Sequence, residues 1–342
     1  MNTTITASAP GKLVMSGEYA VIDGAPAVSL AINRRAKVTV HAAADGCVLE
    51  VITANHRQFS FSWHSSGEIL FTGEQPADRG TLLTVLLKHL ANSLPSTMPS
   101  VRIVIDSSEF YAVESRQKLG LGSSAAVCVA LTAALHRLFS VQLELHELCY
   151  RVHADFQNGK GSGIDVATSL HGGVIQFQTL STGLPQTRYL HWPEGLYMLP
   201  VWTGHAASTS SMLAQLDRLK ADQPARYLGL IDALAQVATQ LCAEWQRNNI
   251  TGLLDLLALY GDGLGQLDET ACVGIYSPEH IEFQHRAASI GAVYKPSGAG
   301  GGDFGLVFSD SSASIEQLAA EFGSAVVLSN WSESVAGLEL SD

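Results

Sequence analysis

The segment from Gly120 to Ala126, which reads GLGSSAA, is the part of this chain whose residue types point most directly to chemistry. It opens a long apolar run, VCVALTAALHRLF, that predicts a buried helix. Glycines let the backbone approach a ligand closely, and the first N–H groups of a helix have no partner within the helix. Because a helix N-terminus also carries roughly half a positive charge, the segment predicts an anion site, with phosphate as the expected ligand.

Other interpretations of this segment stay open at the level of sequence. Gly120, Gly122 and Ala125 fit the GxGxxA pattern of dinucleotide-binding proteins, but that pattern expects a preceding hydrophobic strand, and here the charged stretch ESRQK precedes it. The Walker pattern GxxxxGK[ST] is absent. A glycine turn capped by serine also fits. The paired serines favour phosphate together with Mg²⁺, because a hydroxyl beside a polyphosphate can ligate that metal.

Composition excludes several classes of protein. The 342 residues, 46% hydrophobic and 15% charged, are enough for two domains with ample core. A net charge of −12 argues against nucleic acid or an anionic membrane as a partner, so we expect a small-molecule substrate held by a few local cations. No apolar run reaches transmembrane length and no signal peptide is evident, which predicts a cytoplasmic protein. We separately expect a monomer or a homodimer.

Cysteine and histidine give no sign of a disulfide framework or a metal site. The five cysteines are widely spaced and odd in number, and the twelve histidines are scattered, with no HExxH spacing. We therefore expect the cysteines to be core thiols.

The elements that must position the glycine segment alternate between strands and helices. The first forty residues predict the strands TITASA, KLVMS, PAVSLAI and RAKVTVHA, with turns at Ala9-Pro10-Gly11 and Asp23-Gly24. Helices are predicted from Thr81 to Leu94 and, with a serine cap and proline at the first position, from Pro278. Serine, threonine, proline and glycine cluster between residues 180 and 195, where we place the boundary between domains 1–185 and 186–342.

Four segments carry the remaining candidate chemistry. They are APGK at 9–12 with GEY at 17–19, KLGLGSSAA at 118–126, GKGSGIDVATSLHGG at 159–173, and KPSGAGGGD at 295–303. In this order they resemble the motifs of the GHMP small-molecule kinases, a family named for galactokinase, homoserine, mevalonate and phosphomevalonate kinases. Within the family they are most similar to the phosphomevalonate kinase branch.

This resemblance implies an α+β fold of two domains. The N-terminal domain would be nucleotide-binding and similar to ribosomal protein S5 domain 2, the C-terminal domain would be ferredoxin-like, and the site would lie in the cleft between them. It also implies transfer of the ATP γ-phosphoryl group, with Mg²⁺, to phosphomevalonate. Mevalonate ranks second as acceptor, because Tyr19 stands where mevalonate kinases usually carry histidine. A catalytically silent nucleotide-binding protein and an NAD-dependent oxidoreductase are the alternatives of other classes.

The same resemblance assigns roles to individual residues. Lys12 and Asp165 would be catalytic, with Lys12 stabilising the transferred phosphoryl group and Asp165 acting as base or orienting the acceptor. Ser162 and Asp165 also have capping-box spacing, which gives Asp165 a purely structural alternative. The nucleotide would be held by Lys118, Gly120, Leu121, Gly122, Ser123, Ser124 and Ala125, and the metal by Ser124 and Asp155. The acceptor would contact Glu18, Tyr19, Thr209, Ser210, Lys295, Ser297, Gly298, Ala299 and Gly300.

Overall fold

A large, mostly antiparallel sheet forms the framework of the protein. The computed structural model describes residues 4–159, 161–180, 183–207, 209–323, 326–328 and 331–342; the side chains of Thr209 and Ser210 lie outside this description. The sheet contains β1 (Thr4–Ser16), β2 (Ala27–Ala42), β3 (Cys47–Ile52), β4 (His56–Trp63), β5 (Ile69–Thr72), β6 (Val101–Asp106), β7 (Val174–Gln178), β8 (Gln186–Leu190) and β12 (Glu339–Ser341). The strand order is β12-β1-β2-β6-β3-β4-β5, and β7 extends from the first half of β2 and carries β8.

Helices cover this sheet. They are α1 (Asp78–Leu90), α2 (Ser123–Leu138), α3 (Leu145–Phe156) and α4 (Ile164–His171). Helix α2 is the central one: its residues from Ala125 to Leu135 are almost completely buried, and it packs on β1, β2, α3 and α4. A helix that is apolar on every side must be enclosed on every side, so the glycine segment that begins α2 is held at the centre of the molecule.

A smaller sheet forms a second layer. It has the order β10-β11-β9 and consists of β9 (Tyr197–Trp202), β10 (Val293–Pro296) and β11 (Phe304–Ser309). Four of the remaining helices precede β10, and one follows β11: α5 (Thr209–Asp222), α6 (Pro224–Arg247), α7 (Ile250–Ala271), α8 (Pro278–Ser289) and α9 (Ser312–Phe322). Phe283 of α8 and Leu318 of α9 pack against this sheet in a cluster of their own.

Two predicted turns are replaced by other structures. The strands predicted on either side of Ala9-Pro10-Gly11 are one strand, β1, whose register against β2 shifts between Pro10 and Gly11. At this shift the chain passes close to the glycine segment, since a methyl group on Gly11 would lie 2.5 Å from the carbonyl oxygen of Leu121. The turn expected at Asp23-Gly24 is the end of a short 3-10 helix, Ala20–Asp23, closed by Gly24.

The predicted domain boundary falls at the first residue of β8, which pairs with β7 in the large sheet. Strand β12 also joins the large sheet, although it lies near residue 340. Four of the five cysteines are buried and Cys272 is exposed. None of the described helices is long and apolar enough to cross a membrane.

Candidate active site

The glycine segment forms an open helix N-terminus, as its composition predicts. Gly120 and Gly122 both have positive φ, and Gly122 is the N-cap of α2 with no side-chain capping hydrogen bond. The alternative in which a serine caps this helix is therefore wrong. The Oγ atom of Ser123 is buried and has no hydrogen-bond partner among the described residues. A buried hydroxyl without a partner is costly, so this site suits an anion that accepts from Ser123 and from the free N–H groups.

Lys12 and Asp165 meet beside this helix end. The Lys12 Nζ lies 3.5 Å from Oδ1 of Asp165, and the two side chains are 10% and 30% exposed. The backbone N–H of Lys12 donates to the carbonyl of Leu121 at 3.0 Å, which joins β1 to the glycine segment. The structure thus brings together the two residues predicted to be catalytic.

The capping box proposed for Asp165 does not form. Gly163, with φ of +86°, is the N-cap of α4, and Asp165 lies in the first turn of that helix. Ser162 instead accepts from the N–H of Ile164 at 3.3 Å. Because a left-handed glycine begins the helix, the carboxylate of Asp165 is left to face Lys12.

Helix α4 is fixed to the sheet by two hydroxyls that follow Asp165. Thr168 Oγ1 donates to Ser29 Oγ on β2 at 2.8 Å. Ser169 Oγ donates to the carbonyl of Pro10 on β1, also at 2.8 Å. These bonds set the distance between the strand that carries Lys12 and the helix that carries Asp165.

The KPSGAGGGD segment forms a β-hairpin whose loop closes the other side of the site. Residues 297–303, here called the hairpin loop, connect the antiparallel strands β10 and β11. Ser297 Oγ accepts from the N–H of Val14 at 2.9 Å and is buried. Tyr19 OH donates to the carbonyl of Ala299. A methyl group on Gly298 would lie 3.6 Å from Lys12 Nζ, so the loop approaches the reacting groups closely.

Glu18 and Lys295 form a buried ion pair. Their side chains are 2% and 0% exposed, and Nζ lies 2.5 Å from Oε1. Burial raises the pKa of Glu18 and lowers that of Lys295, and the attraction between the two charges opposes both shifts. Tyr260 OH donates to the Glu18 carbonyl at 2.7 Å. Lys295 was predicted to contact the acceptor, but in this geometry its ammonium group is paired with the carboxylate of Glu18.

A cavity of about 390 Å³ lies between these groups. Lys12, Asp165 and Gly298 meet at its wall, together with Glu18 and Tyr19. The rest of the wall is largely apolar and includes Val14, Val21, Ile22, Ile164 and Leu213. This space can hold a small molecule with both an anionic and an apolar part.

The two predicted metal ligands, Ser124 and Asp155, have different surroundings in the structure. The imidazole Nε2 of His153 lies 3.5 Å from Ser124 Oγ, and burial lowers the pKa of His153. The carboxylate of Asp155 is 66% exposed and pairs with His89 of α1 at 2.8 Å. Residues two apart on a helix point in different directions, which explains why His153 rather than Asp155 meets Ser124.

Asp303 is a site residue that sequence reasoning did not single out. Its Oδ1 accepts from the N–H of Ala207 at 3.0 Å, and its carboxyl group packs against Gly120. Burial raises the pKa of Asp303, while Lys12 and Lys118 lower it. Lys118 is exposed, and partial desolvation together with the charge of Arg79 lowers its pKa. The glycine segment is therefore surrounded by two lysines and one carboxylate.

The dinucleotide alternative for this segment lacks its structural context. Residues before Gly120 form a 3-10 turn, Ser108–Phe110, and an isolated bridge between Tyr111 and Lys118. A dinucleotide fingerprint needs a strand leading directly into the glycines. The predicted acceptor contacts Thr209 and Ser210 begin α5, and their side chains lie outside the described part of the chain.

Comparison with known proteins assigns the chain to a family. Residues 81–173 match the model of the GHMP kinases N-terminal domain. The chain is 30% identical to the phosphomevalonate kinase of Streptomyces sp. (strain CL190), over 91% of each chain. It is 27% identical to the mevalonate kinase of Thermococcus gammatolerans, over 87% of each. The structure of Streptococcus pneumoniae phosphomevalonate kinase with phosphomevalonate and AMPPNP superposes with a TM-score of 0.73 at 18% identity, covering 96% of this chain and 99% of that one. The protein therefore belongs to the GHMP kinase family and is a phosphotransferase.

Proposed function

We propose that this enzyme transfers the γ-phosphoryl group of ATP to phosphomevalonate, giving diphosphomevalonate and ADP. The contact between Lys12 and Asp165 in the wall of a partly apolar cavity is the observation that carries the proposal. The similarity to a phosphomevalonate kinase over nine-tenths of both chains supports this acceptor.

ATP would bind with its phosphates at the N-terminus of α2. Ser123 Oγ, which has no hydrogen-bond partner in the described part of the chain, and the N–H groups of the first turn are the donors, and Lys118 adds a positive charge nearby. The nucleotide supplies the phosphoryl group that is transferred. Helix α2 is enclosed by the core, so these donors would not have to reorganise when the phosphates arrive.

Mg²⁺ would meet few protein ligands. The described residues contain no cluster of three or more His, Cys, Asp or Glu side chains placed to hold a metal. Magnesium usually takes one or two protein oxygens together with phosphate oxygens and water. Ser124 Oγ and the carboxylate of Asp165 fit that chemistry, and the bound metal would neutralise charge on the phosphates.

Lys12 and Asp165 would have different roles in the transfer to the acceptor. The ammonium group of Lys12 would stabilise negative charge on the phosphoryl group during its transfer from ATP to the acceptor. A phosphate monoester is largely ionised at neutral pH, so the acceptor oxygen of phosphomevalonate has no proton to lose, and Asp165 would act by holding the Lys12 ammonium group beside it. With a hydroxyl acceptor, the same carboxylate would have to take up a proton.

Mevalonate is the second candidate acceptor, and one feature of the cavity favours it. Among the described residues of the wall, Lys12 and His153 are the basic side chains, and burial lowers the pKa of His153. So little positive charge on the described part of the wall favours a less anionic acceptor than phosphomevalonate. The contact between Lys12 and Asp165 argues against a catalytically silent nucleotide-binding protein, because binding a nucleotide without transferring its phosphoryl group does not require this pair.

A coupled assay of ADP release separates these possibilities. Purified enzyme with Mg²⁺ and ATP is given phosphomevalonate or mevalonate, and the Lys12→Met variant serves as control. We expect kcat/KM to be highest with phosphomevalonate and to collapse in the variant. Equal or greater turnover of mevalonate would overturn the assignment of the acceptor, and no turnover above that of the variant would overturn the function.

A further inference from the structure

A fully buried histidine supports the hairpin loop from α8. His280 has no exposed surface, and both of its ring nitrogens have partners. Nε2 lies 3.0 Å from the carbonyl oxygen of Gly302, and Nδ1 lies 2.5 Å from the hydroxyl of Tyr294. The described residues therefore form a continuous chain of polar contacts from β10 through α8 to the hairpin loop.

The chemistry of these partners determines which nitrogen carries the proton. A carbonyl oxygen can only accept, so Nε2 must be protonated and donate to Gly302. In the neutral ring Nδ1 then has a free lone pair, and the hydroxyl of Tyr294 donates to it. Burial lowers the pKa of His280 to about 4, which agrees with a neutral ring at pH 7.

The contact with Gly302 is one of several that hold the loop. Gly301 N–H donates to the carbonyl of Ile275 at 2.7 Å, and Asp303 N–H donates to the carbonyl of His205 at 2.9 Å. Those two are backbone bonds that most side-chain substitutions leave in place. The contact from His280, by contrast, is made by a side chain. A substitution at this position of α8 therefore removes a contact to the loop directly.

We propose that His280 is a positioning residue, which holds the Gly302 carbonyl with its Nε2–H and so keeps Gly298 and Ala299 against the substrate cavity. Gly298 and Ala299 line that cavity, and Gly302 lies three residues beyond Ala299 in the same loop. The inference rests on the proposed role of the hairpin loop in binding the acceptor. Because Gly298 and Ala299 line the cavity proposed for the acceptor, we expect displacement of the loop to raise the KM for the acceptor more than it lowers kcat.

Two amide variants separate positioning from packing. In His280→Gln the side-chain amide reaches about as far as Nε2 and can still donate to Gly302, whereas the shorter amide in His280→Asn stops near Nδ1. We expect His280→Asn to raise the KM for the acceptor by about tenfold with kcat changed less than about twofold, and His280→Gln to restore most of the loss. Ser311→Ala, which removes the cap of α9 at Ser314 N–H, is the control for lost stability.

The result that overturns the proposal is equally specific. Equal KM values for the two amide variants would mean that His280 contributes packing and does not position the loop. The same conclusion follows if Ser311→Ala raises KM as much as His280→Asn at a matched loss of melting temperature. Should His280→Asn fail to fold, Tyr294→Phe removes the donor to Nδ1 while leaving the ring in place. It is expected to raise the same KM by about two- to threefold, and an unchanged KM counts against the proposal.

A spectroscopic measurement tests the geometry without any substrate. The ¹⁵N shifts of the wild-type ring at pH 7 should report a neutral imidazole with the proton on Nε2. A proton on Nδ1 would exclude the donor to Gly302. Since this readout needs no turnover, it still decides the point if neither phosphomevalonate nor mevalonate proves to be the acceptor.

Discussion

The carboxyl group of Asp303 occupies the space that a side chain on Gly120 would need. A methyl group built on Gly120 would lie 1.9 Å from the carboxyl carbon of Asp303. The start of β11 therefore contacts the proposed phosphate site, although the two are more than 180 residues apart in the sequence. It also explains why glycine is required at position 120, beyond its φ of +76°.

The first prediction concerns that pair. Gly120→Ala should lower kcat/KM for ATP by at least about tenfold, because overpacking and a left-handed alanine each cost about 1–3 kcal/mol. Adding Asp303→Gly should recover part of the loss by removing the carboxyl group. Steady-state kinetics of the single and double variants measure the recovery.

Asp303→Asn is the matched control for this experiment, since asparagine fills the same space without the charge. It should not rescue Gly120→Ala. If Asn rescues as well as Gly, a collision with the side chain at position 303 is not the cause of the defect.

The second prediction addresses the two residues at the centre of the site. Lys12→Met and Asp165→Asn should each lower kcat by about 10²–10⁴-fold, the range typical of groups that stabilise charge or move a proton. Their pair is partly exposed, so the free energy of unfolding should change by only about 1 kcal/mol. The rate of ADP release measures kcat, and urea denaturation measures the free energy of unfolding. Retention of more than about a tenth of kcat would contradict these roles.

The third prediction concerns the buried pair of Glu18 and Lys295. Lys295→Met should lower the free energy of unfolding by about 3–5 kcal/mol, because it leaves a carboxylate buried without a partner. The double variant with Glu18→Gln should be more stable than that single variant. Urea denaturation of the four proteins gives the coupling, and additive effects would mean that the two charges do not stabilise each other.

The fourth prediction is a dependence of stability on pH. Burial lowers the pKa of His280 from 6.5 to about 4, so between these values the unfolded chain binds a proton that the folded chain does not. The free energy of unfolding should therefore fall as pH drops from 6.5 toward 4, by about 3 kcal/mol from this group. His205, Glu279 and Lys295 are the charged groups that act on the ring.

Thermal unfolding of wild type and His280→Gln from pH 7 to pH 4 checks this slope. Other titrating groups contribute to both proteins, so the difference between the two curves isolates His280. Parallel curves would show that the ring binds its proton equally well in both states.

Local sequence signals predicted the beginnings of several helices. Ser277 caps α8 and Pro278 begins it, as expected, because a capping serine and a first-turn proline act within a few residues. The glycine segment was recognised for the same reason. Its hydroxyl and glycines lie together in sequence, and the helix that follows is long and apolar.

Contacts between distant segments could not be predicted. Glu18 and Lys295 are 277 residues apart, and nothing in either segment indicates that their charges neutralise each other. Each was instead expected to contact the acceptor. The turn predicted at Pro10 was wrong, because that segment pairs with β2, a contact that the local sequence does not show. His153 near Ser124 was missed because the sequence pattern favoured acidic ligands.

The pairing of β12 with β1 has a consequence for how the protein folds during synthesis. Ser8 and Glu339, which face each other across these strands, are separated by 331 residues. At about 5–20 residues per second, the outer edge of β1 waits from about 15 seconds to about a minute for its partner to be translated. An open strand edge is where one nascent chain can pair with another, so the strand that carries Lys12 offers newly made copies an edge for association until β12 is made.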